Sequence, residues 1–215
     1  MKLVSVCVGG PRETEWRGRA VQTSIFKAPV SGRVHVTREN VEGDRQSDLS
    51  VHGGPEKAVY AYPAEHYDFW RRELPDLDLP FGAFGENFTT EGLSEDEVCI
   101  GERYRIGTAE LVLTQPRMPC YKLAIRFGRA DVVKRFLQSG RSGFYLAVER
   151  EGNVGAGDTI EQLGHDERHL TVADVVALYT ADSANQPLLA NASDHPSLPA
   201  NWREYFRKRL WTPDA

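Results

Sequence analysis

The stretch Tyr104-Arg105-Ile106-Gly107-Thr108-Ala109-Glu110-Leu111-Val112-Leu113-Thr114-Gln115-Pro116-Arg117-Met118-Pro119-Cys120 decides the reading of this chain. Two short β-prone runs, Tyr104-Arg105-Ile106 and Glu110-Leu111-Val112-Leu113, flank Gly107-Thr108, the pattern of a β-hairpin. The second arm runs into two prolines. Each ring locks φ and removes a donor, so the backbone is fixed just ahead of the thiol. Arg117 and Lys122 place a cation on either side of Cys120. Nearby positive charge favours thiolate, the form that ligates metals or attacks electrophiles. The residues alone leave Cys120 as nucleophile, redox thiol or ligand.

More short strands flank this hairpin. Leu3 to Val8 ends at Gly9-Gly10, Val34 to Thr37 follows Gly32, Ala58 to Tyr62 stops at Pro63, and Phe144 to Val148 precedes Gly152-Asn153. Many short strands punctuated by glycine predict a mainly β (α+β) chain built on a barrel or sandwich. Two helices are predicted within it. One runs from Ala64 to Leu74, with Pro63 at its first position. The other runs from Ala130 to Gln138 and stops at Gly140. Beyond about residue 165 the pattern changes to three short helices. Thr171 caps the first, with Asp174 in its opening turn. The second lies near Gln186 to Ala192, and the third from Ala200 to Leu210. The division is residues 1–165 as a β-rich domain and 166–215 as a helical appendage.

The chain has 215 residues, 40% of them hydrophobic and 27% charged, with a net charge of -5. That is an ordinary balance for a soluble globular protein, and it disfavours a nucleic-acid polymer as partner. Only Cys7, Cys99 and Cys120 are present, with no zinc-type spacing, which fits a reducing compartment. No run is long and apolar enough for a membrane span or a signal peptide, so a cytoplasmic protein is expected. There is no phosphate-binding loop of the Walker type, no dinucleotide fingerprint in a βαβ unit and no GxSxG elbow.

Three further groups carry potential chemistry. His52-Gly53-Gly54 with Lys57 reads as a loop whose backbone donors and cation could cradle an anion, or as a plain turn. Asn87, in Phe84-Gly85-Glu86-Asn87-Phe88, offers donor and acceptor for a heterocycle edge, or serves its own turn. Lys27, ahead of Pro29-Val30-Ser31-Gly32, could hold a phosphate, although on its own it reads as a solvated surface lysine. A Cys120–His52 nucleophile pair oriented by Asp48 is a further option.

Taken together, Pro119-Cys120 after a hairpin, the run from His52 to Pro63, and Phe84-Gly85-Glu86-Asn87-Phe88 through Gly92-Leu93 resemble MOSC-domain proteins of the YiiM type. The tail from about Thr171 to Leu210 resembles the three-helix domain that follows in that type. The resemblance implies a MOSC-type β-barrel with a few flanking helices and a small three-helix appendage. It implies a molybdenum cofactor, its metal bound through the sulfur of Cys120. Lys27, Arg45, His52, Gly53, Gly54, Lys57, Asn87 and Arg117 are then the candidate contacts to the phosphorylated pterin. It further implies reduction of N-hydroxylated compounds, including N-hydroxylated purine base analogues, as a detoxification. His52 is ranked first as proton donor, ahead of Asp48 and Glu86. With no flavin or nicotinamide motif in the chain, electrons would come from a separate reductase. A carrier that passes on the cofactor, or sulfur held on Cys120, is the alternative. Monomer and homodimer are equally open.

Overall fold

The computed structural model describes residues 1–47, 53–181 and 185–210. In chain order it begins with β1 (Lys2–Val8), β2 (Arg12–Trp16), β3 (Arg19–Thr23), β4 (Ala28–Pro29), β5 (Arg33–Val36) and β6 (Val59–Pro63). Helix α1 (Glu65–Glu73) follows, then β7 (Phe88–Glu91), β8 (Arg103–Ile106) and β9 (Ala109–Pro116). Helices α2 (Tyr121–Phe127) and α3 (Val132–Ser139) lead to β10 (Phe144–Arg150), β11 (Gly152–Gly155) and β12 (Ile160–Gly164). The chain closes with α4 (Val172–Thr180), α5 (Gln186–Asp194) and α6 (Ala200–Arg207).

The β8–β9 hairpin forms as its pattern predicts, and its second arm runs on to Pro116. It joins an eight-stranded mixed sheet in the order β12-β8-β9-β10-β6-β7-β1-β4. Among the described residues only the β6–β7 pair is parallel. Backbone hydrogen bonds bring distant parts of this sheet together. Leu3 N–H donates to Asp158 O at 2.9 Å, Gly157 N–H to Leu3 O at 2.7 Å and Ile160 N–H to Met1 O at 3.0 Å. The start of β1 is thus joined to the approach to β12, which rolls the sheet and protects edges that would otherwise pair with another chain. Leu3, Val6, Val59, Phe88, Leu111, Leu113, Phe144 and Leu146 fill its interior.

Pro63 ends β6 rather than starting α1. Several elements lie outside the sequence expectations, among them β2, β3, β11, β12 and α2. The β2–β3 hairpin turns on Arg17 and Gly18, with φ 53° and 73°. Positive φ at both central residues is the turn that suits a two-residue hairpin. The strands themselves are mostly polar and exposed, with no buried stripe, so their pattern is faint. Helix α2 has seven residues, too few to show a helical period, but Gly128 at φ 65° closes it in the left-handed conformation. A second cluster, with Tyr62, Tyr67, Trp70, Phe84, Leu123 and Phe136, packs α1, α2 and α3 on the outside of β6.

Thr171 caps α4 as expected, and the Asp174 side chain accepts in return from the Thr171 N–H, which makes the cap reciprocal. Ile100 N–H to Leu170 O at 2.8 Å and Val172 N–H to Val98 O at 3.1 Å tie this cap to the sheet domain. Val172, Val175, Leu189, Trp202 and Phe206 of the last three helices share one apolar cluster with the sheet interior. No helix among the described residues is long and apolar enough to cross a membrane.

Candidate functional site

Strands β6, β10 and β9 lie side by side, and their register aligns Tyr60, Tyr145 and Gln115 as cross-strand partners. Paired positions project to the same face, so these three side chains form a row at one end of the sheet. Arg117 follows directly, anchored by its N–H to Gly143 O at 3.2 Å. Its guanidinium lies 5.3 Å from the Tyr60 ring centre and 5.1 Å from that of Phe136. Met118 and Pro119 then carry the chain to Cys120, the residue that precedes α2.

Arg117 is 6% exposed, has no carboxylate partner among the described residues, and its Nη1 makes no hydrogen bond there. Lys122, 7% exposed, donates to Ser47 Oγ at 3.3 Å and likewise lacks a described carboxylate partner. Two cations buried together without counter-charges are costly unless an anion joins them. Both line a cavity of about 90 Å³ with Cys120, Lys27, Lys57 and Asn87. Most small-molecule pockets are several times larger, so this space takes the compact, charged end of a ligand.

Lys27 has a different part. Its side chain is 9% exposed, and Nζ contacts Asp44 Oδ2 at 2.5 Å. Burial pushes the Lys27 pKa down, and Asp44 opposes that shift. Asp44 also accepts from Gly9 N–H at 2.9 Å and from Asn87 Nδ2 at 3.0 Å. Asn87 Nδ2 further donates to Cys7 O at 3.3 Å, and its Oδ1 accepts from Tyr60 N–H at 3.1 Å. Both amide hydrogens of Asn87 are therefore engaged, and the residue fastens β1, β6 and Asp44 together. Asn87 and Lys27 build the wall of the cavity through this network. Asn87 presents no unengaged amide hydrogen to a ligand, and the Lys27 ammonium already has a carboxylate partner, unlike Arg117.

The structure thus brings together Lys27, Lys57, Asn87, Arg117 and Cys120. Arg45 is exposed, with its N–H on Gly9 O at 3.0 Å, and is not in the described lining. Nor are Gly53 and Gly54; Gly54, at φ 98°, precedes the short turn Pro55–Lys57. His52 and Asp48 lie outside the described residues. Glu86 is fully buried and sealed from the cavity. It accepts from the Tyr67 hydroxyl, from Gly82 N–H at 2.7 Å, from Phe84 N–H at 3.1 Å and from Thr89 Oγ1 at 3.1 Å. A carboxylate with four such donors holds a loop and is poorly placed to pass a proton to a ligand. Lys122, Tyr145 and Gln115 went unassigned as site residues in the sequence. Lys122 carried a signal, its charge beside Cys120, whereas the other two became visible only through strand register. Burial pushes the Tyr145 hydroxyl pKa up and Arg117 opposes that shift, so the phenol stays protonated.

The three thiols divide by environment. Burial pushes Cys7 up to about 12 and Cys99 up to about 11, which suits inert packing. Cys120 is partly exposed and faces two cavities at once. The second is larger, about 420 Å³, and shares Lys57, Met118, Cys120 and Tyr145 with the first. No group of three or more His, Cys, Asp and Glu converges among the described residues. Cys120 can therefore offer a metal one protein ligand, and such a metal would have to bring the rest of its ligands with it.

The MOSC domain matches residues 48–161, and the YiiM-like 3-alpha helix domain matches residues 170–212. YflK of Bacillus subtilis is 40% identical over 207 residues, covering 96% of this chain and 93% of that protein. The crystal structure of YiiM from Geobacillus stearothermophilus aligns with a TM-score of 0.81 at 36% identity, covering 98% of this chain and 99% of that one. A protein of Gibberella moniliformis named Reductase is 36% identical over 182 residues. Those residues are 83% of this chain but 32% of that longer protein. With a MOSC match over more than half its length and a YiiM-like helical domain behind it, the chain belongs to the MOSC-domain family, in its YiiM-like branch.

Proposed function

We propose that this chain is a molybdenum cofactor-dependent reductase of N-hydroxylated compounds, such as N-hydroxylated purine base analogues. The observation that carries the reading is Arg117, a buried guanidinium without a described counter-ion, in one cavity with the partly exposed Cys120. The residues fit the group. A soft sulfur suits a soft metal, and Arg117 with Lys122 suits the cofactor's negative charge. A bound molybdenum cofactor supplies two-electron redox chemistry at its metal.

The chain's own residues hold and orient. Cys120 offers its sulfur from a backbone braced by Pro116 and Pro119. Tyr60 and Phe136 fix the Arg117 guanidinium by stacking. The overall change, R–NHOH plus two electrons and two protons to R–NH2 and water, needs an outside reductant. We assign that to a separate reductase. His52 is the proposed proton donor, as a group that titrates near neutral pH. Membership of a family that includes a protein named Reductase supports an oxidoreductase, and three free thiols support work in a reducing cytoplasm. The second cavity beside Cys120 favours an enzyme over a carrier, since a carrier has no use for a substrate space.

The test is turnover. Cofactor-loaded protein, supplied with a reductase and an N-hydroxylated base, is expected to release the amine over many cycles. Cys120→Ser is expected to lose at least about 100-fold in rate with an unchanged melting temperature. Full activity in the serine variant, or bound pterin with no turnover, contradicts the reading; the latter outcome points to the carrier.

A further inference from the structure

The 420 Å³ cavity has a wall that the proposed cofactor contacts leave unused. Helices α4 and α6 present Tyr179, Trp202 and Tyr205 to it, across from Cys120. The Tyr179 ring centre lies 5.4 Å from that of Trp202 and 5.4 Å from that of Tyr205. Tyr179 and Tyr205 are 40% and 38% exposed, unusual for tyrosines in contact with a core. Partly exposed aromatic side chains of this kind pack against flat rings edge-on or offset; the Arg209 guanidinium lies 5.6 Å from the Tyr205 ring centre.

Gln115 adds direction. Trp202 Nε1 donates to its Oε1 at 2.8 Å. An indole N–H can only donate, so the glutamine oxygen must face the tryptophan and Nε2 must face away. Gln115 is 2% exposed, and Nε2 has no partner among the described residues. A buried donor left unmade is costly, which points to an acceptor that arrives with a ligand.

We propose that the C-terminal helices form the substrate site. It takes a planar aromatic heterocycle, packed among Tyr179, Trp202 and Tyr205, whose rings incline by 64° and 39° about Tyr179, and presenting a ring nitrogen or carbonyl oxygen to Gln115 Nε2. The cavity shares Cys120 with the cation-lined one, so a substituent on that ring reaches the proposed reaction centre. This deepens the reading above and rests on it for the N–OH group that the ring carries. The helical unit is then part of the active site, and Gln115 sets specificity through a hydrogen bond that Trp202 orients.

The experiment uses the full chain, labelled with ¹⁵N, and adenine as the probe. The indole N–H signal of Trp202, assigned with Trp202→Phe, is expected to shift saturably with adenine and to ignore cyclohexylamine. Gln115→Met keeps length and apolar bulk but removes the donor, together with the acceptor of the Trp202 indole N–H. It is expected to weaken adenine roughly tenfold, the effect of one buried hydrogen bond. Tyr205→Ala, at a side chain 38% exposed, is expected to weaken it by a similar factor. Absence of a saturable shift overturns the proposal, as does unchanged affinity in both variants. Loss of adenine binding once the cofactor is loaded also overturns it, because the aromatic wall then belongs to the cofactor. Turnover without adenine binding here sinks the site and leaves the proposed reaction standing. Adenine binding here with no molybdenum retained sinks the reaction and leaves the site.

Discussion

Arg117 and Lys122 are buried cations with no carboxylate partner among the described residues, and their cost is the strongest physical statement the site makes. Removing a buried charge that lacks a partner is often neutral or stabilising in the empty protein. Arg117→Met is therefore expected to leave the melting temperature of cofactor-free protein unchanged or raised. The same variant is expected to lose about 1.5–3 kcal/mol of cofactor affinity, the range for a hydrogen bond to a charged group. A fall in melting temperature with affinity intact would show that Arg117 is structural. Cys7 predicts a pH effect. Its pKa rises from the ordinary thiol value of 9.0 to about 12 on folding, chiefly through burial. Below the unfolded value both states keep the proton, and above it the unfolded state ionises first. Stability is therefore lost as pH rises from about 9 toward 12. Denaturant unfolding at pH 8 and 10.5 is expected to show a smaller loss in Cys7→Ala than in wild type, by up to about 1.4 kcal/mol per pH unit above 9.

The elements show what a sequence reveals and what it hides. The β8–β9 hairpin, β1, the α4 cap and the three closing helices were legible because alternation, glycine stops and a capping pair are local signals. Helix α2 was hidden by its length and the β2–β3 hairpin by its surface charges. Cys120, Arg117, Lys57 and Lys27 were legible as chemistry, but not the division of labour among them. That Lys27 is tied to Asp44 while Arg117 has no described counter-ion depends on contacts 17 or more positions apart. Gln115 and Tyr145 join the site through strand register, a non-local fact. Gly143 marks where register and site meet. It has φ 61°, and a Cβ there would lie 2.5 Å from Ala61 O and 2.8 Å from the rings of Tyr60 and Tyr62. Gly143→Ala is expected to cost about 2–4 kcal/mol, from the left-handed backbone and the clash together. Thermal or denaturant unfolding checks this, and a cost under about 0.5 kcal/mol contradicts the packing described.

For the whole molecule, the sheet interior and the C-terminal helices share one apolar cluster rather than two. Val172, Val175, Leu189 and Phe206 are each 0% exposed, and each is worth roughly 1.5–3 kcal/mol buried. Deleting residues 166–215 is expected to leave an aggregating or molten product, and the full chain to unfold in a single transition by calorimetry. Two separated transitions would show that the helices are an independent appendage and weaken their assignment to the substrate site. The central claim is that Cys120 holds a molybdenum cofactor beside Arg117. Its most direct test is the molybdenum content of protein purified from cells that make the cofactor. Wild type is predicted to retain about one molybdenum per chain together with pterin. Cys120→Ser is predicted to retain less than about a tenth of that metal. Equal molybdenum in the two proteins, or none in wild type from cofactor-replete cells, contradicts the account.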